Sequence, residues 1–290
     1  MIIVITGPTH TGKDQLAVAL AKKIKGEIIN ADAFHIYKQL EIGTNKPQNE
    51  QFQNIKHHLF SYVNVDEPYS IATYQKDARL IIDDLIKKNI PIILLGGSGL
   101  YIKAALFNYH FLEQKKVDMS LYQKMNNEEL FKTLVKIDPL ASEKIHPHNR
   151  RRVLRAIEIY LAQGIKKSDN LLTRKDELLY EAKFFGLKHN RQTIYDGIDK
   201  RVDLMIEKGL LKEVKYLYEK YGDNIQALEA IGYKELITSL KGEISVEEAI
   251  KEIKKNTRRY VKRQMTFCNN QLPMHWVSNV KEILEITYGK

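Results

Sequence analysis

A glycine-rich segment near the N-terminus, "GPTHTGKD", has the residue types needed to hold a phosphate. Gly7 and Gly12 let the backbone turn so that several N–H groups point at one anion, and Lys13 supplies a positive charge for the terminal phosphates. An apolar run precedes the segment and apolar residues at helical spacing follow it, which is the strand–loop–helix order that such a motif requires. The sequence therefore predicts a phosphate-binding P-loop made of Gly7, Pro8, Thr9, His10, Thr11, Gly12, Lys13 and Asp14.

The last residue of this loop, Asp14, stands where a Ser or Thr hydroxyl normally ligates Mg²⁺. A carboxylate oxygen is also a ligand that Mg²⁺ accepts. Its negative charge repels a phosphate unless the metal ion lies between the two groups. We therefore expect a phosphate site that depends on Mg²⁺, with Asp14 as the metal ligand.

Two more polar segments follow predicted strands. Asp32 comes after the run "EIIN", and Ser98 lies in the "GGSG" that follows "PIILL". Ligands of parallel α/β sheets bind beyond the carboxyl ends of the strands, so we expect both segments to lie beside the P-loop. Asp32 is ionised at neutral pH and could accept a proton there. The alternative is that Asp32 caps a helix beginning at Ala33.

The apolar pattern predicts the elements that position these residues. Continuous apolar strands alternating with helices favour an α/β fold, a P-loop NTPase-like parallel sheet flanked by helices. Every periodic segment over 112–178 is helical, which predicts a helical insertion domain within a core domain of residues 1–111 and 179–290. A long helical stretch after the insertion is expected to break at Gly209. Strands are predicted at 1–6, at a segment ending near Asn30, at 91–97, at 182–187 and at 275–278.

Composition and charge exclude some classes of protein. The chain has 290 residues, 43% of them hydrophobic, and one cysteine, so a disulfide framework and a zinc site built on several cysteines are excluded. It has no apolar run of 18 residues and no basic segment before the first strand, so we expect a cytoplasmic protein. The net charge of +10 suits a polyanionic partner, although a basic solvated surface gives the same value.

Two basic segments are candidates for contact with nucleic acid. "HPHNRRRVLRAIEIY" places Arg151, Arg152 and Arg155 in the first turns of a helix, and "IKEIKKNTRRYVKRQMTF" is amphipathic with cations along one face. Each could be a solvated helix face. Together with a phosphate site and a basic net charge, they favour a nucleic-acid partner. The histidine groups 57–58 and 146–148 lack a carboxylate or cysteine at metal-ligand spacing, so we interpret them as structural or surface residues.

A series of segments along nearly the whole chain resembles the tRNA dimethylallyltransferase family. Their order and spacing are more specific than any one motif, since a P-loop alone is common to many families. The segments are "GPTHTGKD", "NADAFHIYKQLEIGTNKP", "HHLFSYVNVDEPYSIATYQKDA", "GGSGLYIKAAL", "IHPHNRRRVLRAIEIY", "RVDLMIEKGLLKEV", "AIGYKEL" and "TRRYVKRQMTF".

The resemblance implies transfer of a dimethylallyl group from dimethylallyl diphosphate to N6 of adenosine 37 in tRNA, with release of diphosphate. The P-loop and Mg²⁺ would hold the diphosphate, Asp32 would accept the N6 proton, and Lys13, Ser98 and Arg201 would complete the catalytic set. The insertion would grip the anticodon arm, and the protein would act as a monomer. The residues implied to contact tRNA are Asp32, Ala33, Phe34, His35, Ser98, Arg151, Arg152, Arg155, Arg258, Arg259, Lys262, Arg263 and Gln264.

Three positions depart from the family pattern and leave alternatives open. Asp14 replaces Ser or Thr, Gly197 stands where Arg is common, and His35 stands where Gln or an apolar residue is frequent. Asp14 and Gly197 together weaken the expected diphosphate pocket, so one alternative is a tRNA-binding homologue impaired in catalysis. Another is a P-loop nucleoside or nucleotide kinase, which would need the Mg²⁺-ligating hydroxyl that Asp14 denies it. An enzyme that prenylates free AMP or ADP would have no use for the basic helices.

Overall fold

The computed structural model describes residues 1–47, 52–109, 111, 117–172 and 176–289. The chain divides into two compact units: residues 1–106 and 180–290 form unit 1, and residues 107–179 form unit 2. Most of the insertion predicted over 112–178 falls in unit 2. Residues 112–116 and 173–175, within that predicted insertion, lie outside the described residues.

Unit 1 is built on a parallel sheet, as the sequence predicted. Its described strands run in the order β3-β2-β4-β1-β5-β6, and every pair of neighbours is parallel. The strands are β1 (Ile2–Thr6), β2 (Glu27–Asn30), β3 (His57–His58), β4 (Ile92–Gly96), β5 (Ala182–Leu187) and β6 (Met274–Val277).

The central strands are apolar because helices cover the sheet on both faces. Every residue of β1 and β4 is buried. Ile5 of β1 pairs with Leu95 on one side and Phe185 on the other, so β1 lies in the middle of the sheet. The P-loop therefore starts from a central strand that is buried along its whole length.

Helices make up most of the rest of the described chain. Asn126 and Ser245 each begin a helix with a reciprocal capping box, which fixes where those helices start. No helix in the described ranges combines the length and the apolar character needed to cross a membrane.

The helices of unit 1 before the insertion are α1 (Lys13–Ile24), α2 (Ile71–Lys87) and α3 (Gly99–Leu106). Those of unit 2 are α4 (Ser120–Lys124), α5 (Asn127–Ile137), α6 (Pro139–Lys144), α7 (Arg150–Gln163) and α8 (Lys167–Leu172). Those of unit 1 after the insertion are α9 (Arg191–Glu207), α10 (Leu210–Tyr221), α11 (Tyr233–Leu240), α12 (Val246–Gln271) and α13 (Val280–Tyr288), with a 3₁₀ turn at Gln226–Glu229.

Different helices pack on the two faces of the sheet. Ile3 and Ile5 of β1 share one buried cluster with Leu20 of α1 and Ile283 of α13. Side chains alternate along a strand, so Val4 points to the opposite face, where α2 and α3 pack against β4. Unit 2 has a separate small core in which Leu130 and Leu134 of α5 pack with residues of α6 and α7.

The sequence-based elements agree with the structure except at one edge. The predicted strands are present, and Gly209, with a backbone φ of 99°, separates α9 from α10 as expected. The two-residue strand β3 was not predicted, because two residues cannot display a periodic pattern. It pairs with β2 and completes the sheet beside the candidate site.

Candidate active site

Three loops converge at the carboxyl edge of the sheet. The P-loop follows β1, Asp32 follows β2, and Gly97-Ser98 follows β4, which lies between β1 and β2. The predicted convergence of these segments is therefore present in the fold. Gly96 allows the two latter loops to meet, since a Cβ there would lie 2.2 Å from the carbonyl carbon and oxygen of Ala31.

The P-loop has the backbone shape expected of an anion cradle. Gly7 and Gly12 have φ values of 139° and 81°, which glycine adopts readily. Lys13 is the first residue of α1 and is 7% exposed, so its charge lies inside the site rather than in solvent. The Thr11 hydroxyl donates to the Pro8 carbonyl at 3.0 Å and closes the turn. The positive end of α1 therefore faces the loop interior.

Two side chains from distant helices hold the loop in place. The Arg201 guanidinium of α9 donates to the Thr9 hydroxyl and, at 3.3 Å, to the Thr44 carbonyl. The Gln264 amide of α12 accepts from the Thr9 N–H at 3.2 Å and donates to the Gly97 carbonyl at 3.0 Å. Gln264 is 6% exposed, so it joins the P-loop to the loop after β4. A direct contact of Gln264 with RNA stays a prediction.

Asp32 is held in a defined position by its neighbours. Its N–H donates to the Asn30 amide oxygen at 2.9 Å, and its carboxylate accepts from the Phe34 N–H at 3.0 Å. Residues 33–36 form a turn rather than a helix, so the carboxylate caps a turn and remains beside the P-loop. Burial alone would raise the pKa of Asp32, but the charge of His35, the Phe34 N–H and the charge of Lys13 together lower it.

Ser98 links the second and third loops. Its hydroxyl accepts from the Ala33 N–H at 3.1 Å, and its own N–H donates to the Ala31 carbonyl at 3.3 Å. Ala33, Phe34 and His35, all predicted to contact tRNA, are half-buried in the turn that follows Asp32. Ser98 therefore positions this turn.

Two cavities meet at the candidate site. One, the aromatic cavity, has a volume of about 210 Å³, and the other, the basic cavity, about 270 Å³. Lys13, Asp14, Asp32 and His35 line both. The aromatic cavity is also lined by Val18, Ile28, Phe52, His57 and Phe60, and the basic cavity by Thr9, Phe34, Thr44, Arg201, Lys234, Tyr260, Arg263 and Gln264.

The histidines near the aromatic cavity have protein partners. His57 Nδ1 donates to the Ile55 carbonyl at 2.8 Å, and its ring centroid is 4.1 Å from that of Phe52. His58 pairs with Glu27 at 2.5 Å. His35 Nε2 donates to the Thr44 carbonyl at 3.1 Å. In the part of the chain that the structure describes, no three His, Cys, Asp or Glu side chains are arranged to hold a metal by themselves.

The site nevertheless has carboxylates suited to bind a magnesium ion that a substrate phosphate also ligates. Asp14 and Asp32 both line the two cavities, so their carboxylates face the same space as Lys13. Mg²⁺ is commonly bound by one or two carboxylates together with substrate phosphates and water. Burial lowers the pKa of Arg201, and the charges of Asp14 and Asp32 oppose that shift. The site thus contains both signs of charge in a small volume.

The basic residues of unit 1 that the sequence predicts to contact tRNA lie on α12. Arg259, Lys262 and Arg263 are exposed, whereas Arg258 forms an ion pair with Asp199 of α9. The Arg263 guanidinium lies 5.7 Å from the Tyr260 ring. Three exposed cations on one helix provide a surface for a polyanion.

The basic residues of unit 2 that the sequence predicts to contact tRNA lie in the first turns of α7. Arg151 and Arg152 are exposed, and Arg155 pairs with Glu158 at 2.6 Å. Arg150 has a structural role, since its guanidinium donates to the carbonyls of Met125 and Gln123, each at 2.7 Å. Arg151 and Arg152 are thus the exposed candidates for RNA contact on this helix.

Sequence reasoning missed the residue that shapes the loop at 41–43. The Glu213 carboxylate of α10 accepts N–H groups from Glu41, Ile42 and Gly43 at 3.0–3.3 Å, and also the Tyr233 hydroxyl at 2.5 Å. This clamp holds the loop whose Thr44 carbonyl receives Arg201. The partners are about 170 residues apart in sequence, so no local pattern signals the contact.

Comparison with known proteins gives one consistent result. The model of the IPP transferase family matches residues 35–271. A tRNA dimethylallyltransferase of Anoxybacillus flavithermus is 40% identical over 300 residues, covering 100% of this chain and 96% of the relative. One of Geobacillus thermodenitrificans is 41% identical over 304 residues, again covering 100% and 96%.

Solved structures agree with the sequence relatives. A tRNA delta(2)-isopentenylpyrophosphate transferase from Staphylococcus epidermidis has a TM-score of 0.72 at 35% identity, covering 99% of this chain and 97% of that one. A eukaryotic dimethylallyltransferase acting on tRNA has a TM-score of 0.79 at 30% identity, covering 99% and 76%. Since these likenesses extend over nearly the whole chain, the protein belongs to the IPP transferase family, whose curated relatives are tRNA dimethylallyltransferases.

Proposed function

We propose that the protein transfers a dimethylallyl group from dimethylallyl diphosphate to N6 of adenosine 37 in tRNA and releases diphosphate. The observation that carries this proposal is the meeting of two cavities at Lys13, Asp14, Asp32 and His35. In a reaction between two separate substrates, each substrate must reach the same charged groups through a cavity of its own. A P-loop kinase also joins two substrates, and it is the exposed cations of α12 beside the basic cavity that favour tRNA as the second substrate here.

The P-loop and its neighbours bind the leaving group. Lys13 and Arg201 supply positive charge, and the loop N–H groups supply donors at the positive end of α1. Asp14 would hold Mg²⁺ through its carboxylate. When bound, the ion neutralises part of the diphosphate charge. This arrangement gives a carboxylate at position 14 a purpose in the site.

Asp32 accepts the proton of the attacking amine. The bond between N6 and the allylic carbon forms, the bond from that carbon to the diphosphate oxygen breaks, and the N6 proton passes to the Asp32 carboxylate. The lowered pKa of Asp32 keeps it ionised at neutral pH. Ser98 and Asn30 hold the turn that carries Asp32, so the acceptor is pre-positioned.

The exposed positive charges favour RNA as the partner. Arg259, Lys262 and Arg263 of α12 and the start of α7 carry the cations that contact phosphates. Adenosine 37 must leave its stack to reach the cavities, which costs less in a loop than in a duplex. We propose that unit 2 contributes to anticodon-arm binding through Arg151, Arg152 and Arg155.

The proposal is tested by the product. Purified protein is incubated with dimethylallyl diphosphate, Mg²⁺ and an unmodified tRNA that carries adenosine at 37, and the digested nucleosides are examined by mass spectrometry. We expect N6-dimethylallyladenosine, and none when the tRNA carries guanosine at 37. Product from free AMP but not from tRNA, or tRNA binding without product at any Mg²⁺ concentration, would contradict the proposal.

The role of Asp14 has its own test. Asp14→Thr supplies the hydroxyl usual at this position, and Asp14→Ala removes any ligand. We expect Asp14→Ala to need a much higher Mg²⁺ concentration for half-maximal rate, and Asp14→Thr to shift that concentration measurably from the wild-type value. Identical Mg²⁺ dependence in all three proteins would show that Asp14 does not bind the metal.

A further inference from the structure

Helix α9 has a glycine in its interior. Gly197 lies between Arg191 and Glu207, the ends of the helix, and has ordinary helical backbone. Glycine inside a helix is destabilising relative to alanine, because it loses more backbone freedom on folding. The contacts around Gly197 should therefore explain why a glycine occupies this position.

The surroundings are the ring of His10. A Cβ built on Gly197 would lie 1.9 Å from His10 Nε2, 2.1 Å from Cδ2 and 2.9 Å from Cε1. These separations are too short for any side chain, so even alanine at this position would displace the exposed imidazole from the surface of α9. The ring of a P-loop residue thus rests directly on the backbone of α9.

His10 also has an unusual backbone. Its φ of 66° is in the left-handed region, where a non-glycine residue is strained. Such a conformation persists only when surrounding contacts hold it. The contact of the ring with α9 is one such restraint on the loop. Partial burial lowers the pKa of His10, as do the charges of Arg201 and His189, which favours the neutral form of the ring beside Arg201.

The next turn of α9 holds the adjacent loop residue. Arg201 is four residues after Gly197 and so lies on the same helix face, and it donates to the Thr9 hydroxyl. Two successive P-loop residues, Thr9 and His10, are thus fixed to one face of one helix. The orientation of the loop N–H groups depends on this docking.

We propose that His10 and Gly197 form a matched positioning pair, in which the imidazole seated on the side-chain-free surface of Gly197 sets the anion-binding conformation of the P-loop. The pair acts through the loop and need not touch the substrate. The inference rests on the proposed function in that the anion is the diphosphate of dimethylallyl diphosphate. It explains a helix glycine and a strained loop residue by one contact.

The test is a rescue experiment on four proteins: wild type, Gly197→Ala, His10→Ala and the double variant. Because the added methyl group pushes the ring and the loop aside, we expect Gly197→Ala to raise the KM for dimethylallyl diphosphate by about tenfold or more, with the KM for tRNA unchanged. His10→Ala should have a smaller effect. The double variant should return to the His10→Ala value, since removal of the ring makes room for the methyl group that Gly197→Ala introduces.

Thermal unfolding separates this role from a loss of fold. Gly197→Ala should melt no lower than wild type, because alanine favours the helix, and yet bind substrate less well. Lys200→Ala, an exposed change on the same helix, serves as the control and should alter neither property. Calorimetric binding of Mg²⁺–pyrophosphate to the four proteins should show the same rescue without any turnover.

Either of two results would overturn the inference: a wild-type KM in Gly197→Ala, or a double variant as impaired as Gly197→Ala. Wild-type protein that forms no prenylated tRNA would refute the proposed function instead. In that case the pyrophosphate-binding pattern of the four proteins still decides whether the pair sets the loop.

Discussion

At the scale of single residues, the site combines burial with ionised groups. Asp32 is half-buried between the two cavities, and burial favours its protonated form, but a histidine, a lysine and a backbone N–H all favour the carboxylate. The balance leaves the group charged and positioned, which is what a proton acceptor requires. His35 therefore contributes to the site by lowering the pKa of Asp32 as well as through its hydrogen bond to the Thr44 carbonyl.

Asp32→Asn tests the proton acceptor. The amide can still accept the Phe34 N–H, so the turn should keep its shape, but it cannot take up the N6 proton. We expect the single-turnover rate constant to fall by about 10²–10⁴-fold, with the affinities for both substrates within a few-fold of wild type. Asp84→Asn, on the exposed surface of α2, is the matched control. A loss of tRNA affinity equal to the loss of rate would point to a binding role instead.

The lowered pKa of Asp32 also predicts how the single-turnover rate depends on pH. The folded pKa of Asp32 lies below its ordinary value of 3.8, so its stabilising contribution is present at neutral pH and is lost only as pH falls through that lower value. We therefore expect no fall in the single-turnover rate from Asp32 protonation between pH 7 and pH 5. An acid limb in that window that disappears in Asp32→Asn would contradict the assignment.

The surroundings of position 197 explain one departure from the family pattern. The arginine that the resemblance leads one to expect at this position would occupy the space of the His10 ring. The glycine is therefore not simply a missing phosphate contact. Gly197 and His10 have to be considered together.

At the scale of elements, most strands and helices could be predicted because their signals are local. The buried runs of β1 and β4 and the apolar spacing of α1 are read within a few residues. The three-loop convergence could also be predicted, since a parallel sheet brings the carboxyl ends of its strands to one edge. The edge strand β3 could not be predicted, because its two residues are held by pairing with β2. The hydrogen bond that the Asn30 amide donates to the Leu59 carbonyl holds the next residue.

The ties that fix the site were beyond prediction for a different reason. Gln264 and Thr9 are 255 residues apart, and Arg201 and Thr9 are 192 apart. Such contacts depend on how α9 and α12 pack, which no local pattern specifies. Sequence reasoning thus named Arg201 and Gln264 as functional without finding that they bond to the P-loop.

The clamp on the 41–43 loop gives a prediction at this scale. Glu213→Ala leaves three backbone N–H groups and the Tyr233 hydroxyl without their shared acceptor. We expect the free energy of unfolding, measured in urea, to fall by about 2–4 kcal/mol. Glu219→Ala, an exposed change on the same helix, should cost less than about 0.5 kcal/mol. Equal effects would mean that the clamp does not stabilise the loop.

At the scale of the whole molecule, the net charge of +10 sets how RNA binding responds to salt. Each phosphate contact releases counterions, so affinity falls as salt rises. We expect Arg152→Ala to weaken tRNA binding and to reduce the slope of log K against log salt by about one. Lys132→Ala removes the same charge from an exposed site on α5 and is the control. Identical slopes in both variants would show that Arg152 makes no phosphate contact.

The order of strands in the sheet has a consequence for biosynthesis. The central strand β1 has its P-loop in the first 14 residues, yet one of its two neighbours, β5, lies at 182–187, and the far edge is closed by β6 at 274–277. Unit 2, in contrast, is one continuous stretch of chain. Domains generally fold as units while the chain is being made, so unit 2 can assemble early, whereas the P-loop must wait for the last quarter of the chain to bring α12 and Gln264. The anion site is therefore completed only when Gln264, 255 residues after Thr9, has been synthesised.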